Sequence, residues 1–350
     1  MSHLSTIRFR VRDFTCPNCG QHLAFENSLC LSCNSQVGFS PELIAFLVID
    51  PEASGGHDGA VAASEYQLCA NLHLAQCNWL VKVQPVRALC ASCSLTRTRP
   101  ANHDVAALAA FAEAEQAKRR LLVDLYELQL PVLSREQDPE YGLAFDLLSN
   151  VTGSVSTGHS GGVITLDLAE GDDLYRERVR VQMDEPYRTV LGHFRHEIGH
   201  YYFPRLVLQS DAAERFRMLF GDPGISYREA RDRHYAQGPP GGWEVGFISA
   251  YASMHPAEDW AETFAHYLHI RSVLDTAAAF GHAPANATYQ RKVLGPSGFD
   301  TLITMWLPLA WSLNMVNRSI GQADLYPFVL PAPVLEKMRF VHAMVEASQE

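Results

Sequence analysis

Residues 196–200 read His-Glu-Ile-Gly-His, and this pattern constrains the chain more tightly than any other. On an α-helix, at about 100° per residue, histidines four positions apart leave one face, so both imidazoles can converge on a metal ion. Glu197 sits beside them, where a carboxylate can take a proton from a water at the metal. The flanking residues support a helix. Tyr187, Leu191, Phe194, Ile198, Tyr201 and Tyr202 fall in one arc of about 100°, while His193, His196, Glu197 and His200 fall opposite. Pro186 suits a helix start and Pro204 a stop. The segment has one face for a core and one for a metal; the alternative is a surface helix with accidental histidines.

The eight cysteines divide into two sets of four. Cys16-Pro17-Asn18-Cys19 and Cys30-Leu31-Ser32-Cys33 are Cys-x-x-Cys pairs joined by a hairpin-sized segment, the pattern of a zinc ribbon over residues 1–48. Each pair makes a tight knuckle with backbone N–H groups pointing at the sulfurs. Gly20 can take the positive φ such a turn needs, and Asn34 tolerates it. One pair alone could be a redox dithiol; two together argue against that. Residues 55–59 read as a flexible break. Over residues 60–100 follow Cys69, Cys77, Cys90 and Cys93, the last two again a Cys-x-x-Cys pair. Cys69 and Cys77 are irregularly spaced, so isolated buried thiols compete with a second four-cysteine zinc site; the count, with none left over, favours the site.

A formal charge of −11 offers no electrostatic footprint for nucleic acid or anionic membrane. No apolar run reaches membrane-spanning length, and the N-terminus MSHLSTIRFRVRDF lacks the apolar stretch of a secretion signal. A reducing cytoplasm is therefore expected, where cysteines serve as metal ligands rather than disulfides.

Residues 101–130 predict a long helix ended by Pro131, with Phe111, Ala114, Leu121, Leu122, Leu125 and Leu128 on one stripe. Lys118 interrupts that stripe, and its ammonium is expected to reach water. Residues 145–148 and 162–168 read as strands; the second lies before the metal helix, where a strand edge could hold an extended peptide. Residues 172–183 lead into that helix. Residues 221–243 hold GDPGISY and QGPPGGW and read as a loop beside the cleft. From Met254 the pattern is helical, broken by Pro308, Pro327, Pro331 and Pro333.

Zinc in a hydrolase takes three protein ligands and keeps one position open. The metzincin extension would need Gly at 203 and His at 206, but the chain has Phe203 and Leu206. Residues 255–270, HPAEDWAETFAHYLHI, offer a glutamate instead: Glu258 and Glu262 share one helix face. Both cannot sit on the metal alongside two histidines and a reactive water. A division of labour fits, with Glu258 on zinc and Glu262 accepting a hydrogen bond from a ligating histidine to fix its tautomer. A plain acidic helix face is the alternative.

CPNCG with a second CxxC, CNWLV, YRTVLGHFRHEIGHYYF and HPAEDWAETFAHYLH together resemble the bacterial zinc-binding metallopeptidases that carry an N-terminal zinc ribbon. The resemblance covers nearly the whole chain, and the last two motifs are its most specific part. The EDWAE segment is also similar to the glutamate-ligand helix of gluzincins, particularly that of the anthrax lethal factor catalytic domain. That resemblance implies Glu258 as ligand and Glu262 as support. It also implies an active-site tyrosine seven residues before the ligand, which here is Tyr251. A phenol there could donate to the oxyanion of a tetrahedral intermediate.

The expectation is an α+β protein: zinc ribbon 1–48, a second four-cysteine zinc subdomain 60–100, and a mainly helical zincin-like peptidase domain 101–350 with a small sheet. It would carry one catalytic zinc on His196, His200 and Glu258 and two structural zincs on the cysteines. Glu197 would be general base, with a peptide or protein as substrate. The alternative is a zinc-stabilised protein-binding adaptor with a slow or inactive metal site. His193 could touch substrate or a ligand network. His159 and Arg195 could lend polar groups to the cleft, while His266 and His269 read as surface or packing histidines.

Overall fold

In the computed structural model, which describes residues 13–49, 65–150, 155–171, 189–284, 287 and 295–348, two small cysteine modules precede a mainly helical body. The expected break at 55–59, the segment 172–183, Pro186 and Tyr187 lie outside the described residues.

In the first module, Gly20 and Asn34 close the knuckles with φ of 76° and 58°, and strands β1 (Val37–Ser40) and β2 (Ala45–Val48) form an antiparallel hairpin. The second module is built on the hairpin of β3 (Tyr66–Leu68) and β4 (Leu80–Lys82). Asn78 joins the two: its Nδ2 donates to the carbonyls of Phe25 and Asn27, and its own carbonyl accepts from Phe39 N. Phe39 also packs on the buried Trp79.

Strand β5 (Thr96–Thr98) runs into helix α1 (Val105–Glu127), whose N-cap Asp104 accepts from Ala107 N. All six residues of the expected apolar stripe are buried. Lys118 departs from expectation. It is 0% exposed, with Nζ 2.7 Å from Glu115 Oε1, which also accepts from Thr96 Oγ1. A snorkelling lysine needs a path to water, and the second cysteine module and the sheet close it; the charge is met inside by Glu115. Arg119, equally buried, donates to the carbonyls of Ala75 and Gln76 and so holds the module to α1.

Strands β6 (Ala144–Leu148), β7 (Gly158–Ser160) and β8 (Val163–Asp167) complete a four-stranded mixed sheet in the order β5-β6-β8-β7. The strand expected to offer an edge, β8, is interior, paired in parallel to β6 and antiparallel to β7. The edge beside the metal helix is β7, too short and Gly-rich to read as a strand from pattern.

Helix α2 (Val190–Phe203) carries the His-Glu-x-x-His residues, capped by Thr189, whose Oγ1 accepts from Gly192 N at 2.9 Å. Pro204 does not end it outright: residues Pro204–Leu208 add one wide π turn, closed by Gln209 N to Pro204 O. Helix α3 (Ala213–Phe220) follows. The stretch read as loop then contains helix α4 (Tyr227–Gln237), held between Ser226, whose Oγ accepts from Glu229 N, and Gly238 at φ 74°. Only Ala230 is buried on it, so apolar periodicity is absent. The local signal is the Ser-x-x-Glu cap and terminal glycine.

Helices α5 (Pro256–Ala279), α6 (Gly295–Ser319) and α7 (Ala332–Ala347) complete the body. Pro308 sits inside α6 rather than breaking it. It is exposed, so water can satisfy the freed carbonyl, while the buried Trp306, Leu309 and Ala310 hold the helix through. One core runs from Phe14 through the cysteines, α1, α2 and α5 to Val345, and a second joins α5, α6 and α7 around Trp306 and Met338. The fold is mixed α+β with its C-terminal part mostly helical. No helix among the described residues is long and apolar enough to cross a membrane.

Removing one partner of a buried pair strands the other charge. Lys118→Ala should therefore cost about 3 kcal/mol in urea unfolding. A loss below about 0.5 kcal/mol, the value for a solvated surface lysine, would contradict its burial against Glu115.

Candidate metal centre

The site forms where α2 crosses α5, and the crossing is close because of Gly199. A Cβ at Gly199 would lie 2.9 Å from Ala261 Cα and 3.2 Å from Ala261 O. Trp260 Nε1 donates to Gly199 O at 2.8 Å, which sets the register of the two helices. With the backbones pressed together there, Glu258 and Glu262 of α5 flank His196 and His200 of α2.

His196 Nε2 lies 3.1 Å from His200 Nε2 and 3.0 Å from Glu258 Oε2, and His200 Nε2 lies 3.3 Å from the same oxygen. Ligands about 2.0–2.1 Å from a tetrahedral zinc stand about 3.3 Å apart, so the three atoms match one face of that tetrahedron. The proton positions agree. Ser249 Oγ donates to Glu262 Oε2 at 2.7 Å, and Glu262 Oε1 lies 2.7 Å from His196 Nδ1. An ionised Glu262 can only accept, so His196 carries its proton on Nδ1 and turns a lone pair on Nε2 toward Glu258. Buried Glu258 Oε2 then has no hydrogen-bond donor among the described residues.

An ionised Glu258 oxygen facing two imidazole nitrogens at these distances needs a cation between them, a proton or a metal. The electrostatics give the same sign. Burial opposes charge on His196, yet Glu258 and Glu262 hold its pKa well above the ordinary imidazole value. Burial likewise opposes ionisation of Glu258, but His200 and His196 hold it well below the carboxylate range. For Glu262, burial is outweighed by His196, and its pKa comes down to about 2.

Glu197, 8% exposed, lines a cavity of about 610 Å³ together with His193, His196, Tyr251 and Glu262. The ring of Tyr251 is 5.9 Å from that of His196. Burial, with Glu258 nearby, pushes its phenol pKa upward, so it stays a donor. His193 is tied by Nδ1 to Glu170 Oε2 at 2.5 Å, and Thr157 Oγ1 donates to the other oxygen of Glu170. Arg195 lines the cavity but spends Nη2 on buried Asp124 of α1, 2.8 Å away. His159, on β7, accepts from Gly162 N at 3.2 Å through Nε2. Burial, with His200 nearby, lowers its pKa to about 4. His266 and His269 line the cavity, and His266 is buried against Tyr326 and Phe328, a packing rather than a surface position. His266 Nδ1 is 2.9 Å from Tyr326 Oη, and burial lowers its pKa to about 4.

Pattern reading missed three contributors. Tyr227 Oη donates to Glu258 Oε1 at 2.9 Å, from a helix with no apolar stripe to announce it. Ser249 and Glu170 lie in or beside short turns, where only folding reveals what they face.

The cysteines come together as two sets, Cys16, Cys19, Cys30, Cys33 and Cys69, Cys77, Cys90, Cys93, each with its sulfurs within 4.8 Å of one another. Cys16–Cys33 Sγ atoms are 3.7 Å apart, and Cys19–Cys30 and Cys77–Cys90 are 3.6 Å apart. Disulfide sulfurs would stand about 2.05 Å apart. Zinc thiolates at about 2.3 Å from the metal stand about 3.8 Å apart, which is the spacing seen. In the second set Cys90 N and Asn71 N point at Cys69 Sγ, and Cys93 N at Cys90 Sγ.

A fold with two thiolate clusters and a two-histidine, one-glutamate centre beside a free glutamate has the build of a zinc metalloprotein. The family profile described as "Putative zinc-binding metallo-peptidase" matches residues 107–344, and a zinc-ribbon domain profile matches residues 13–104. The chain belongs to that zinc-binding metallopeptidase family and carries its zinc ribbon at the N-terminal side. It is similar to uncharacterized protein Rv2568c of Mycobacterium tuberculosis H37Rv and to uncharacterized protein Mb2598c of Mycobacterium bovis. Each is 63% identical over 337 residues, covering 96% of both chains. No solved structure matches it.

A methyl at Gly199 meets backbone and cannot be absorbed by rotating a side chain. Gly199→Ala should weaken zinc at this centre about tenfold or more and cost about 1–3 kcal/mol of stability. Chelator competition and thermal melting measure the two effects; unchanged zinc affinity would show that the close crossing does not set the site.

Proposed function

We propose that this chain is a zinc-dependent peptidase of gluzincin type that hydrolyses peptide bonds. The observation that carries the reading is the convergence of His196 Nε2, His200 Nε2 and Glu258 Oε2 on one point, with Glu197 beside them in the cavity. Zinc held by those three atoms would supply a Lewis acid for the scissile carbonyl and for a water.

The remaining chemistry belongs to the chain. Glu197 takes the proton of the attacking water and returns it to the nitrogen of the leaving amine. Tyr251 donates to the oxyanion that develops on the carbonyl. Glu262, held by Ser249, keeps His196 in the tautomer that ligates. The edge of β7 gives an extended peptide backbone a strand to pair with. Of three zincs per chain, one is catalytic and two brace the thiolate modules. Those thiolates, the acidic charge of −11 and the absence of any apolar spanning helix among the described residues suit a cytoplasmic enzyme acting on peptides or proteins rather than on nucleic acid. An adaptor with an inactive centre has no use for Glu197 in the cavity.

Elemental analysis should give about three zincs per chain, falling to about two in a His196→Ala/His200→Ala double variant. Glu197→Gln should keep all three zincs and lose about 10²–10⁴-fold in cleavage of a peptide library. A Glu197→Gln protein cleaving at the wild-type rate would sink the mechanism.

A further inference from the structure

We propose that Tyr227 is a positioning residue of the metal centre: it holds one oxygen of Glu258 so that the other alone addresses the metal. The inference rests on the zinc site proposed above.

Tyr227 Oη donates to Glu258 Oε1 at 2.9 Å, while Glu258 Oε2 is the atom 3.0 and 3.3 Å from the two histidine nitrogens. A carboxylate free at both oxygens can swing to chelate through both. With Oε1 occupied by a phenol, Glu258 ligates through one oxygen, and the fourth position stays open for water or substrate.

Tyr227 is itself held in place. Its ring packs 5.2 Å from that of His255, the N-cap of α5. His255 accepts from Ala257 N through Nδ1, so its Nε2 carries the proton and donates to Ile225 O at 3.2 Å, fastening the turn before α4. With Ala230 as the buried residue of α4, this corner helps dock the helix to the body. Tyr235, two turns further along α4, also lines the cavity.

The test is Tyr227→Phe, which keeps the ring on His255 and removes only the hydroxyl. Outer partners of a metal ligand are worth about 10–100-fold in metal affinity. The expected result is retention of both thiolate-bound zincs with about tenfold or more weaker binding at the third site, read by chelator competition. Cobalt substituted at that site should absorb less strongly in the visible as coordination rises from four to five. Adding Tyr227→Phe to Glu258→Gln should change affinity no further, because Tyr227 acts through that carboxylate. Unchanged affinity and an unchanged cobalt spectrum, in a protein whose third metal is lost in the His196→Ala/His200→Ala variant, would overturn this inference alone. No third metal in the wild type would overturn the site reading and this inference with it. Loss of the thiolate-bound zincs in Tyr227→Phe would assign the residue to general packing and also overturn it.

Discussion

The candidate metal centre depends on one contact that contains none of its ligand groups, the approach of α2 to α5 at Gly199 and Ala261. Two histidines on one helix cannot complete a zinc site, and a glutamate on another helix completes it only if the backbones come close enough for a short carboxylate to reach. The missing Cβ of Gly199 and the methyl of Ala261 permit that distance, and the Trp260 indole on Gly199 O fixes the slide of one helix along the other. Both distances from Glu258 to the histidine nitrogens follow from this crossing. So does the hydrogen bond of Glu262 to His196, since Glu258 and Glu262 lie one turn apart on the face that meets α2.

Helix α1 carries that geometry outward to the cysteine modules. Asp124 pairs with Arg195 of α2, Arg119 grips the carbonyls of Ala75 and Gln76, and Glu115 lies beside Cys93 while meeting Lys118. These charges are buried and each meets a polar or charged partner, so removing one strands another in low dielectric. The second thiolate cluster, α1 and the metal helix therefore share one core. The N-terminal cysteine modules are braced against the helix that supports the metal centre.

The three candidate ligand groups that the fold brings together were legible in the chain, because their signals are local. Cys-x-x-Cys spacing, His-Glu-x-x-His spacing and the Glu258–Glu262 repeat each encode a shape within one or two turns of backbone. What was misread was non-local or lacked periodicity. Lys118 looked like a surface cation on an apolar stripe, and only the packed module reveals Glu115 as its partner in the dark. Helix α4 looked like loop because a helix that buries one alanine has no stripe, although its Ser226 cap and Gly238 were visible. Strand β8 looked like an edge because nothing in residues 158–160 announces a neighbour.

By itself, then, the sequence determined which groups could ligate and which could act as a base, since residue type and helical or knuckle spacing dictate these within a few residues. Tertiary structure alone decided how they meet. It brought Glu258 Oε2 within 3.3 Å of both histidine nitrogens, turned Glu262 onto His196 and set Tyr227 on the far oxygen of Glu258. Those are contacts between segments more than 30 residues apart, whose distances follow from packing volume at a glycine rather than from any pattern along the chain.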